Sequence, residues 1–116
     1  MGGITRELLI KQNNQLVRHI SLTTKRVTIG RDKFCDIVLR DKTVSKRHAM
    51  ILNDADASYI EDMGSTNSTQ VNSREVQQHK LKDNDIIMIG HFQLYFQQES
   101  YEANDESGQR PTTQAT

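Results

Sequence analysis

Apolar residues along the chain come in short alternating runs bounded by Asn, Asp, Gly and Ser, and no window sustains a helical spacing over several turns. Period-two alternation is the mark of strands with one buried face, so the pattern predicts an all-β chain. Leu8 and Ile10 form a first strand and Asn13-Asn14 a turn. Leu16, Ile20 and Leu22 form a second strand whose other face carries Val17 and His19. Val27 with Ile29, Ile37 to Leu39, Ala49 to Leu52 and Tyr59 to Glu61 continue the series, with a polar turn at Asn53-Asp54-Ala55-Asp56. Thr69 to Val71 and Glu75-Val76 flank a turn at Asn72-Ser73. Ile86 to Ile89 predicts a strand buried on both faces and Gly90-His91 a turn. Phe92, Leu94 and Phe96, alternating with Gln93, Tyr95 and Gln97, predict a half-buried partner strand.

Many short strands joined by turns fit a β-sandwich of two mostly antiparallel sheets, with recognition loops gathered at one end. The pattern covers residues 1–97. From Gln98 to Thr116 the sequence turns polar and acidic with Tyr101 as its one aromatic, a composition expected to stay a flexible tail because it buries too little apolar area to offset its ordering entropy.

A chain of 116 residues fits one core and leaves no room for a second substrate domain. Its 15 Lys and Arg balance 15 Asp and Glu, so no global field draws it to nucleic acid or anionic lipid, and any attraction for an anion is local. The lone Cys35 excludes an intrachain disulfide, and no apolar stretch is long enough for a signal peptide or a membrane span. Arg6 stands where a myristoylation signal wants Ser or Thr. A cytoplasmic setting without membrane attachment is the expectation.

Three polar clusters fall between predicted strands: Gly30-Arg31, Ser45-Lys46-Arg47-His48, and Gly64-Ser65-Thr66-Asn67-Ser68-Thr69. Brought together at one end of a sandwich, they assemble a guanidinium, several hydroxyls and an amide. That inventory suits a phosphate monoester, whose charge of about −1.5 to −2 and three acceptor oxygens match a fork of Arg donors and short hydroxyl hydrogen bonds. Between Arg40 and His48, four cationic side chains face only Asp41, which makes a local positive patch on a neutral chain.

The order Gly30-Arg31, Ser45-x-x-His48, Gly64-Ser65-Thr66-Asn67-x-Thr69, Val71-Asn72 and Asp85-Ile86-Ile87-x-Ile89-Gly90 resembles the signature of the forkhead-associated (FHA) domain family, over roughly residues 4–97. The resemblance implies a sandwich whose loop end binds phosphothreonine peptides, a use of Arg shared by several phospho-motif readers. By position, it implies that Arg31 and Ser45 hold the phosphate, with Lys46 a further donor and Thr66 completing the set, while Asn67 holds the peptide main chain. Gly30, Gly64 and Ser65 support the loops, and His48 matches the family's bracing histidine. Threonine is expected to be preferred over serine through a small pocket for its γ-methyl, a contact worth roughly 1–3 kcal/mol. Thr43 lies where the family often reads a side chain a few places after the phosphothreonine. Ser68 and Ser73 replace glycines usual in the family, so both turns ask a serine to take positive φ.

The partner expected is a threonine-phosphorylated protein or peptide, connected with a Ser/Thr kinase or its substrate, and no cofactor is needed. A scaffold or oligomerisation domain that ignores phosphate on the same fold is the alternative. Ser45, His48 and Asp62 invite a hydrolase triad, but the chain lacks a Gly-x-Ser-x-Gly elbow, and a His three residues from a Ser on a strand points away from it. No catalytic residue is therefore assigned. His19, His79, His91 and Cys35 show no paired ligand spacing for a metal. Cys35 reads as a small packing residue whose nearness to Arg31 acts to lower its thiol pKa. Stacking aromatics interleaved with the basic residues are missing, which argues against nucleic acid.

Overall fold

The computed structural model describes residues 2–102. Asn13 and Asn14 both adopt the left-handed backbone, at φ 53° and 65°, the pair of conformations that a two-residue hairpin loop demands and that Asn tolerates. They reverse the chain between β1 (Gly2–Gln12) and β2 (Gln15–Ser21). There follow β3 (Arg26–Gly30), β4 (Ile37–Val38), β5 (Ala49–Asn53), β6 (Ser58–Asp62), β7 (Thr69–Val71), β8 (Arg74–Val76), β9 (Gln78–Lys80), β10 (Ile86–Ile89) and β11 (Phe92–Glu102). A six-stranded sheet runs β2-β1-β11-β10-β7-β8 and a five-stranded sheet runs β4-β3-β5-β6-β9. All pairings are antiparallel except that of β3 with β4. The expected all-β sandwich is thus the observed fold, and among the described residues no helix is long and apolar enough to cross a membrane.

The inner faces meet in one core. Leu8, Ile10, Ile87, Ile89, Leu94 and Phe96 come from the first sheet, and Val27, Ile29, Ile51 and Ile60 from the second. Burying a side chain of this size contributes about 1.5–3 kcal/mol, and the strict alternation along β11 follows because only every second residue faces that core.

Three features depart from the reading of the pattern. In the β1–β2 hairpin Leu8 faces Ile20 and Ile10 faces Arg18, but Lys11 faces Leu16, so Val17 is an extra residue in a bulge. The bulge turns Leu16 away from the face of Ile20, and both Leu16 and Val17 are exposed. Along β10 only Ile87 and Ile89 are fully buried, while Ile86 and Met88 lie on the partly open outer face, which corrects the expectation of burial on both sides. β9 carries Gln78, His79 and Lys80 and pairs Ile60 with His79 at the sheet edge, a strand with no apolar alternation to announce it.

β11 also continues past Gln97. Gln98 to Glu102 pair with Arg6 to Gly2 along β1, so the first part of the expected tail is strand. The rest of that expected tail, from 103 onward, lies outside the described residues.

Four connections gather at one end: the β3–β4, β4–β5 and β6–β7 loops and the β10–β11 turn. The Arg31 amide donates to the Ser45 carbonyl at 3.0 Å, the Met63 amide donates to the His48 carbonyl at 2.9 Å, and His91 Nδ1 lies 3.3 Å from Asp41 Oδ2.

Candidate functional site

Gly30 ends β3 with no room for a side chain. A Cβ there would lie 2.1 Å from the Lys46 carbonyl oxygen and 3.0 Å from Cys35 Sγ. The close approach lets the β3–β4 loop run against the β4–β5 loop, where the Asp32 amide and Cys35 Sγ both donate to that same Lys46 carbonyl. Gly90, at φ 57°, brings the β10–β11 turn against the β4–β5 loop, where a Cβ would meet Thr43 Oγ1 at 2.5 Å and Val44 Cγ2 at 2.8 Å.

The β4–β5 and β6–β7 loops lie side by side, joined by three cross-links. Asn67 Nδ2 donates to the Thr43 carbonyl at 3.0 Å, the Thr66 amide donates to Ser45 Oγ at 3.0 Å, and the Met63 amide donates to the His48 carbonyl. Behind them His48, fully buried, accepts the Ser45 amide at Nδ1 (3.0 Å) and meets the Ser68 carbonyl at Nε2 (2.8 Å), partners that require a proton on Nε2 and none on Nδ1. One neutral imidazole thereby fixes a residue of each loop.

Arg31 is exposed, and its Nε donates to the Val44 carbonyl at 2.9 Å. That bond anchors the base of the guanidinium and leaves the terminal amino groups available to a ligand. Ser45 Oγ accepts from Thr66, so its own proton is free to be donated outward. Lys46 and Thr66 are exposed beside it, and Asn67, with one amide donor committed to Thr43, keeps its carbonyl oxygen open. The structure therefore brings Arg31, Ser45, Thr66 and Asn67 to one end of the sandwich. A groove of about 300 Å³ opens on the Thr43 and Asn67 side, lined also by Ser68, Met88 and His91.

Two carboxylates that the sequence reading did not credit hold these loops. Asp62 accepts from the Gly64 and Ser65 amides, the Ser65 hydroxyl and Thr69 Oγ1. Burial pushes its pKa up, but those four donors outweigh burial and hold it below the usual carboxylate value. Asp41 accepts from the Thr43 amide and hydroxyl, which lower its pKa, with a smaller contribution from His91. The signal was present in both cases as an Asp two residues ahead of a turn residue, the spacing at which an Asx side chain caps its own backbone. Gly64 and Ser68, at φ 82° and 65°, bend the β6–β7 loop, and Ser73 takes φ 72° in its hairpin, so both serines occupy the strained conformation expected of them.

The same geometry answers two other readings. Both nitrogens of His48 are committed to main-chain groups, and Asp62 is bound to Ser65 and Thr69, so neither serves Ser45 as a base. The thiol of Cys35 is pushed up by burial and by the Asp32 carboxylate, the reverse of the lowering expected from Arg31.

Two sheets packed over one core, with polar side chains converging on loops at one end, define a β-sandwich of the kind that carries its recognition loops at one end. The chain belongs to the FHA domain family, whose sequence profile matches residues 27–90. It is 35% identical over 96 residues to the oxoglutarate dehydrogenase inhibitor of Corynebacterium jeikeium, covering 83% of this chain and 67% of that protein. It is 34% identical over 89 residues to the glycogen accumulation regulator GarA of Mycolicibacterium smegmatis, covering 77% of this chain and 56% of that one. Among solved structures, one from a study of phosphothreonine-dependent FHA domain interactions superposes with a TM-score of 0.74 at 31% identity, covering 80% of this chain and 95% of that chain. The FhaA FHA domain, complexed with the intracellular domain of Rv3910, gives 0.73 at 32% identity, covering 79% and 99%.

Proposed function

We infer that this chain is a phosphothreonine-dependent protein-binding module in Ser/Thr kinase signalling, acting by recognition and not by catalysis. The observation that carries the reading is the meeting of Arg31, Ser45 and Thr66 from three adjoining loops, each with donor capacity still unused. Arg31 grips the phosphate with its terminal amino groups, Ser45 and Thr66 donate hydroxyl hydrogen bonds, and Lys46 adds charge from the rim. Asn67 offers its carbonyl oxygen to the main chain of the bound segment. Gly30, His48, Gly64 and Ser65 keep the loops in place, with Asp62 behind them.

The partner is a protein phosphorylated on threonine by a Ser/Thr kinase, or the kinase itself. The regulatory names of the corynebacterial and mycobacterial relatives support a role in which binding controls another protein. The cytoplasm, where a single thiol stays reduced, is the compartment this requires.

Calorimetric titration of a phosphothreonine peptide into the wild type and Arg31→Ala tests the reading. Removing the guanidinium from a phosphate contact lowers affinity by roughly a hundredfold. Folding free energy falls by about 1 kcal/mol, for the bond to Val44. Equal affinity in the two proteins would refute it.

A further inference from the structure

The two cross-linked loops run antiparallel past the candidate phosphate site. One passes from Thr43 through Ser45 to Arg47, and the other from Asn67 through Thr66 to Met63. The phosphate donors therefore sit in the middle of a line with a groove at each end. The first groove is the one beside Thr43. The second, of about 310 Å³, opens onto the outer face of β3 and β5 and is lined by Arg26, Thr28, Asp32, Phe34, Cys35, Arg47, Met50 and Met63.

The second groove has a composition that folding does not explain. Phe34 stands 84% exposed on the β3–β4 loop, and Met63 is 41% exposed at the start of the β6–β7 loop. A phenyl ring left in water contributes nothing to the core, yet the Asp32 carboxylate accepts the Phe34 amide at 3.0 Å and Lys33 Nζ stands 5.4 Å from the ring centroid, so the ring is presented from an ordered turn. Met50, paired across the sheet with Thr28, supplies a pliable apolar floor. Among the described residues every salt bridge involves a histidine, so the guanidiniums of Arg26 and Arg47 have no carboxylate partner. The nearby carboxylate of Asp36 is bound by the Thr28 amide and hydroxyl. The groove thus offers apolar area edged by two guanidiniums, against the single carboxylate of Asp32, which is turned to the Phe34 amide.

We propose that this groove binds the residues that precede the phosphothreonine in the partner, and that it selects an aliphatic side chain accompanied by a carboxylate. The proposal rests on the phosphothreonine reading, because that reading fixes the middle of the line. The direction follows from Thr43, whose position in the resemblance takes residues after the phosphothreonine. An extended segment that enters the Thr43 groove with its C-terminal flank leaves past Arg47 and Met63 with its N-terminal flank. There an aliphatic side chain covers Phe34 and Met63, and a carboxylate meets Arg26 or Arg47.

A phosphothreonine peptide library, degenerate at the positions before the phosphothreonine, is expected to enrich aliphatic and acidic residues there. Fluorescence anisotropy then compares two defined peptides, identical from the phosphothreonine onward, one preceded by leucine and aspartate and the other by alanines. The first binds about tenfold tighter to the wild type, and Phe34→Ala brings the two to equal affinity. Equal binding of the two by the wild type, with both lost in Arg31→Ala, overturns the groove and leaves the phosphothreonine reading standing. So does a Phe34→Ala protein that weakens both peptides by the same factor. Failure of every phosphothreonine peptide to bind overturns both readings together.

Discussion

The Thr66 amide donates to Ser45 Oγ at 3.0 Å, which makes one hydroxyl both the link between two loops and a donor aimed at the candidate site. Ser45→Ala removes both functions at once. The side chain is only part-buried, so the expected loss of stability is about 1 kcal/mol. Affinity for a phosphothreonine peptide falls further, by roughly tenfold or more, because a charge-assisted hydrogen bond goes and Thr66 loses its anchor. Paired thermal melts and calorimetric titrations check this. A loss of affinity no larger than the loss of stability would assign Ser45 to scaffolding alone.

Gly30 gives a sharper structural test. Any Cβ at that position meets the Lys46 carbonyl at 2.1 Å, and a main-chain oxygen does not rotate away as a side chain would. Gly30→Ala therefore forces the β3–β4 and β4–β5 loops apart, at a cost of roughly 1–3 kcal/mol in chemical denaturation. Arg31 and Ser45, adjacent to the displaced segment, lose phosphopeptide affinity in the same variant. A protein of wild-type stability would mean that the loops accommodate the methyl group.

The sequence made the sandwich and its loop end legible where local chemistry and packing agree. Phe92, Leu94 and Phe96 alternate because β11 has one buried face, and Asn13-Asn14 announce a hairpin because few residues tolerate that backbone pair. β9 was silent because Gln78, His79 and Lys80 belong to the sheet through main-chain bonds to β6, which leave no trace in hydropathy. The bulge at Val17 was equally silent: alternation across β2 assumes an unbroken register, and one inserted residue reverses every side chain beyond it. At the site, Arg31, Ser45, Thr66 and Asn67 stood out because their motifs come in a recognisable order. Asp62 and Asp41 did not, since an isolated Asp before a turn looks the same whether it caps a functional loop or an ordinary one. The second groove was beyond sequence reading because Phe34, Met50 and Met63 come from three different elements.

Asp62 makes a pH prediction with a definite sign. Its folded pKa lies below its unfolded value, so its contribution to stability is fully present above the unfolded pKa of about 3.9 and is lost as pH falls through the lower folded value. Asp41 and Asp85 are shifted in the same direction and add to the effect. Unfolding free energy is therefore insensitive to these groups near neutrality and drops below about pH 4. Asp62→Asn lowers stability at pH 7 by roughly 1–3 kcal/mol, because an amide cannot accept from all four donors. It also flattens the acid limb of the profile. Denaturation curves taken from pH 7 down to about pH 3 read both effects, and an unchanged acid limb would remove Asp62 from the account.

The Asn72-Ser73 hairpin points the other way, toward a stabilising change. Both residues take positive φ, 53° and 72°, as a two-residue turn between β7 and β8 requires, and Ser73 is exposed. A serine pays for the left-handed conformation with a clash between its Cβ and the neighbouring carbonyl, and glycine does not. Against that, glycine gives the unfolded chain more freedom to lose. The steric term is about 1–2 kcal/mol and the entropic term about 0.5–1 kcal/mol, so Ser73→Gly is expected to stabilise by up to about 1.5 kcal/mol. The turn is formed by residues outside the phosphate loops, so phosphopeptide affinity should stay at its wild-type value. A melting temperature that falls in Ser73→Gly would mean that the serine hydroxyl holds this turn more strongly than its backbone strain opposes it.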